Sequence, residues 1–109
     1  MAIAAPGLSH ADCDPVSMGT SSFAFPHPVT EAKCLDNAKR ALAAQFKDSV
    51  SKVGDHAYVA GTNQVKVTVE CLHSVGANAA HVSFAFHASA IDATKVSTLV
   101  STIIHQLVQ

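Results

Sequence analysis

The sequence predicts an α+β fold: a two-layer sandwich in which an antiparallel sheet of three to four strands carries two helices on one face, in the order β-α-(β)-β-β-α. Three observations carry that expectation. Two segments repeat apolar residues at steps of three and four, which gives each of two helices one apolar stripe. Two others, Val65–Cys71 and His81–His87, alternate apolar with polar residues, which gives each strand one apolar face. The stretch joining them is too short for a crossover, so they pair antiparallel.

Residues 1–20 mix Ala, Pro, Gly, Ser and Asp without a sustained period and read as a flexible tail, which leaves 21–109 as a single domain. Ser21–Phe25 alternates as a short strand with Phe23 and Phe25 on one face, stopped by Pro26 and Pro28. Thr30 is placed to cap a helix from Glu31 to about Lys52, with Leu35, Ala38, Leu42, Phe46, Val50 and Val53 as its stripe and Gly54 as its stop. His56–Ala60 is a candidate strand before a turn at Gly61–Asn63. Val65, Val67, Val69 and Cys71 then point one way, and Val82, Phe84 and Phe86 repeat the pattern after a loop at Ser74–Ala80. Asp92 can cap a closing helix whose stripe is Val96, Leu99, Val100, Ile103 and Leu107, flanked by Ile104.

Composition bounds the function. The chain has 109 residues, 49 % hydrophobic and 14 % charged, a globular balance far from that of disordered chains. Net charge is −1 and like charges do not cluster; the closing helix carries Lys95 and no Arg. Neither a nucleic-acid footprint nor a polybasic membrane patch is expected. No stretch approaches the roughly 20 apolar residues that span a bilayer. Met1–Leu8 is apolar and uncharged, and Ser9 and Ala11 lie three positions and one position before Asp12. The segment fits either the remnant of a secretory signal or an ordinary Ala-rich tail.

Cys34 on the first helix and Cys71 on the core face of a strand would meet if the two layers pack as described. A disulfide between them is the expected clasp, and it would place the protein in the periplasm or outside the cell; buried free thiols, compatible with the cytoplasm, are the alternative. Cys13 is the odd thiol: free, intermolecular, or itself the partner of one of the other two. No CxxC, HExxH, P-loop, GxGxxG or Gly-x-Ser-x-Gly elbow occurs.

The outward face of the hairpin carries Glu70, His81 and His87, residue types that ligate Zn, Cu or Ni. Matching the inward positions pairs Glu70 with Ser83, Lys66 with His87 and Leu72 with His81, leaving Glu70 diagonal to His81. His81 and His87 then stand roughly 20 Å apart along one strand, so one ion cannot take both within a chain. His27, between two prolines, and His10, near Asp12, Cys13 and Asp14, are further ligand types. The expected function is that of a small exported, non-enzymatic binding protein with no cofactor, its partner a protein, a second copy or a small ligand on the polar sheet face. The alternative is a metal-binding or metal-buffering protein using His81, His87, Glu70 and His27. A small enzyme with an unrecognised site is the third.

Overall fold

The computed structural model of the protein describes residues 16–74 and 77–108; His10, Asp12, Cys13, Asp14 and most of the 1–20 tail lie outside them. Among the described residues the elements run β1 (Val16–Ala24), α1 (Glu31–Phe46), a 3-10 turn (Lys47–Ser49), β2 (Ser51–Val53), β3 (Ala57–Gly61), β4 (Val65–Ser74), β5 (Ala77–His87) and α2 (Ala93–Leu107). The strands form one antiparallel sheet in the order β1-β5-β4-β3-β2. The class is the α+β one expected, but the sheet has five strands rather than three to four. The first strand begins at Val16, five residues ahead of the expected Ser21.

Helix α1 starts as its sequence dictates. The Thr30 side chain accepts from the Lys33 amide at 3.1 Å, and Glu31 sits in the positive first turn. It stops at Phe46 and not near Lys52. Lys47 takes a positive φ of 54°, and the Ser49 hydroxyl donates to the Phe46 carbonyl at 3.1 Å. Val50 and Val53, three residues apart, imitate the helical stripe, but Val53 belongs to β2. Gly54, with φ of 64°, serves the β2–β3 turn and does not end the helix. The buried face of α1 is therefore Cys34, Asn37, Ala38, Ala41 and Leu42.

Helix α2 follows expectation more closely. Asp92 accepts from the Thr94 amide at 2.9 Å, and Val96, Val100, Ile103 and Leu107 are buried. They close with Ala38 and Leu42 on Val65, Val67, Val69, Val82 and Phe86, which form the core between the layers. Burying each Val, Leu, Ile or Phe side chain of this core contributes about 1.5–3 kcal/mol. Asn37 sits between the helices: its amide donates to the Leu107 carbonyl at 3.3 Å, and its side-chain oxygen accepts from Arg40.

Cys34 and Cys71 are joined by a disulfide with Cα atoms 6.1 Å apart. Both are 3 % exposed and form a second apolar cluster with Ala80, flanked by Phe23, Phe25, Val29 and Leu35. The bond ties the first turn of α1 to the middle strand of the sheet.

The β4–β5 register differs from the expected one by two residues. Glu70 faces His81, Thr68 faces Ser83 and Lys66 faces Ala85, and pairing continues to Ser74 and Ala77. A shift of two leaves every side chain on its expected face. It changes which polar groups are neighbours.

Candidate functional site

One face of the sheet is covered by the helices; no described element covers the other. Its outward residues follow from the registers. One row runs Ser22, His81, Glu70, Ala57 and Val53 across all five strands. The next runs Thr20, Ser83, Thr68, Val59 and Ser51, and the one beyond it Met18, Ala85, Lys66 and Gly61. Val16 and His87 end the face on one side; Ala24, Ala79 and Leu72 end it on the other.

The large apolar side chains left exposed among the described residues are Val16 (49 %), Met18 (78 %), Val53 (50 %) and Leu72 (38 %). All four lie on this face. The centre between them is small and uncharged, built of Thr, Ser and Val. Charge enters only at Lys66 and Glu70, both on β4, and at the histidines. On β1 the usual pattern is inverted: Ser17, Gly19 and Ser21 face the helices while Val16 and Met18 face out. A Cβ at Gly19 would meet the Phe84 ring at 2.5 Å, so a larger residue there has to displace the ring.

The expected metal ligands are only partly brought together. Glu70 and His81 are direct cross-strand neighbours. On the far side of His81, its Nδ1 and the Ser22 hydroxyl share a hydrogen bond of 2.6 Å. His87 stays six residues along the strand, and its shielded Nδ1 has no hydrogen-bond partner among the described residues. His27 lies beside the helices, in a recess it shares with Lys33, Asn37 and Leu107. No group of three His, Cys, Asp or Glu able to hold an ion occurs among the described residues.

Ser22 is the residue that sequence reading missed. It belongs to no motif, and only the pairing of β1 with β5 brings it to His81. A serine, a histidine and a carboxylate in one row suggest nucleophilic catalysis, but the chemistry does not follow. Activation needs a base held by a third group and a water-shielded pocket beside the hydroxyl. Here the Ser22–His81 pair is exposed on the sheet surface, and no hydrogen bond joins Glu70 to His81. The row stitches strands together and presents donors and acceptors on the sheet surface.

A second feature lies on the helix side. Helix α2 leaves a cleft of about 370 Å³ against β1 and β5, floored by Phe84 and Phe86 and walled by Val100 and Ile104. Its polar groups are the hydroxyls of Ser21, Ser97 and Ser101, and no charged residue among the described ones lines it. The two phenylalanine rings stack at 6.2 Å.

No helix among the described residues is long and apolar enough to cross a membrane. The chain matches no protein-family model, and no curated protein is significantly similar to it.

Proposed function

We propose that the protein is a non-enzymatic binding protein of an oxidising compartment, periplasmic or extracellular, that engages a protein partner through the face of its sheet that no described element covers. The observation that carries this reading is the gathering of Val16, Met18, Val53 and Leu72 on that one face. Large exposed apolar side chains scattered singly need no explanation, but here all four found among the described residues share one face, the one that no described element covers. Five strands about 4.8 Å apart and some 25 Å of strand length give roughly 600 Å² per partner, which is interface-sized. The buried Cys34–Cys71 bond supports the compartment, since such bonds do not persist in the reducing cytosol.

Met18 is the probe that tests the reading, because the only other methionine in the chain is Met1. In dilute pure protein, mild peroxide should oxidise Met18 quickly. In a concentrated extract of exported proteins from the source the reading expects slower oxidation, with labelling of Lys39 on the opposite layer unchanged. Equal oxidation in every setting would remove the interface.

The cleft under α2 favours a second reading, a small neutral apolar ligand. Its volume lies at the low end of ligand sites, and its lining offers hydroxyls and no charge. A neutral environment-sensitive dye should brighten on binding and lose that signal when Ser101→Phe fills the cleft. No change in dye fluorescence would discard it.

A further inference from the structure

We infer that the partner is a second copy of this chain, packed face to face about a two-fold axis that crosses the strands along the Thr20–Ser83–Thr68–Val59 row. The inference rests on reading the outer sheet face as an interface and names what covers it.

Charge selects the axis. Lys66 and Glu70 flank Thr68 at equal distances on β4, the middle strand of the sheet. An axis along β4 would set Lys66 against its own copy, and Glu70 likewise. An axis across the strands sets each Lys66 against the Glu70 of the other copy, twice per dimer. In an isologous interface this self-complementarity is what the symmetry demands.

Size agrees with charge. Reflecting the face through that row brings Met18 to Ser22, Val16 to Ala24, His81 to Ala85 and His87 to Ala79 of the other copy. Each pair sets a larger side chain against a smaller one. On the axis itself, Thr20, Ser83, Thr68 and Val59 face their own copies, and none is large or charged. Two sheets can then approach to the usual spacing of about 10 Å, crossing at about 30°, with the pairs nearest the axis kept in register. The total buried area is roughly 1,200 Å², at the lower edge of stable interfaces.

Sedimentation of the intact protein from about 1 μM to about 300 μM tests this, a span chosen for an interface of that size. The wild type should pass from monomer to dimer. Lys66→Glu and Glu70→Lys should each weaken association by about 10-fold, because each places two like-charged pairs in the dimer. The double variant K66E/E70K restores both pairs and should return to within about 3-fold of wild type. Circular dichroism of the same samples confirms that these exposed substitutions leave the fold intact. A monomer throughout, single reversals without effect, or a double variant no better than the singles would each overturn the inference. Met18 oxidation separates the two failures: protection only in the source extract keeps the interface and removes the self-partner, and protection nowhere removes both.

Discussion

Opening the Cys34–Cys71 bond should cost this domain about 4 kcal/mol. The two cysteines are 37 residues apart, and the loop-closure relation gives about 13 cal/mol/K for a loop of that length, or roughly 3.8 kcal/mol at 25 °C. Reduction alone leaves both sulfurs in their apolar cluster, where a thiol packs as a small hydrophobe, so little packing is lost with the covalent link. The cost falls on the other side of the equilibrium, in the freedom returned to the unfolded chain. For 109 residues the unfolding entropy is about 0.23 kcal/mol/K, so the midpoint should drop by roughly 17 °C. Urea unfolding with and without reductant is the assay, with the Cys34→Ala/Cys71→Ala variant as control. The slope with denaturant should rise in the reduced protein, because an uncrosslinked chain exposes more surface. A change below about 1 kcal/mol, with an unaltered slope, would mean that the bond does not act by constraining the unfolded chain. Intact mass checks the premise: the native protein should be lighter than the reduced one by two hydrogens.

Asn37→Ala should destabilise by about 1–3 kcal/mol, because it removes the donor to the Leu107 carbonyl between the helices, and chemical denaturation reads that loss. Gly19→Ala should push the Phe84 ring toward α2, costing about 1–2 kcal/mol and reducing neutral-dye binding in the cleft. Unchanged dye binding in that variant would show that the ring does not move there. Micromolar Zn²⁺ should leave the melting temperature unshifted, since Glu70 and His81 stand together without a third ligand type among the described residues. A clear upward shift would revive the metal reading.

What could be read from the sequence depended on how each element declares itself. Helix α2 was legible because its stripe is long and Asp92 supplies its cap. The faces of β4 and β5 were legible from alternation, and with them the position of Cys71 against the helix layer. Their register was not, since pairings two residues apart bury the same side chains. Alternation alone therefore sets Glu70 beside Ser83, whereas its neighbour is His81. Strand β2 is three residues long and exposed throughout, too short to show a period. Val50 and Val53 lent those residues to the preceding helix. The early half of β1 was hidden by its inversion, with Ser17 and Gly19 inward and Met18 outward. The same inversion makes the outer face apolar at its rim. Ser22 and the cleft under α2 depend on contacts between distant segments, which no local pattern encodes.

Whether the outer face is covered can be measured most directly by methyl NMR with a soluble paramagnetic probe, using isotope-labelled protein at high concentration and in an unlabelled source extract. The methyl groups of Val59, Thr68 and Ala85 report on the centre of the face, while Ala32 and Ala44 report on the exposed side of α1. If the face binds a partner, the first group should be shielded from the probe relative to dilute protein while the second relaxes as before. Equal enhancement at both groups under all conditions would contradict an interface on the sheet.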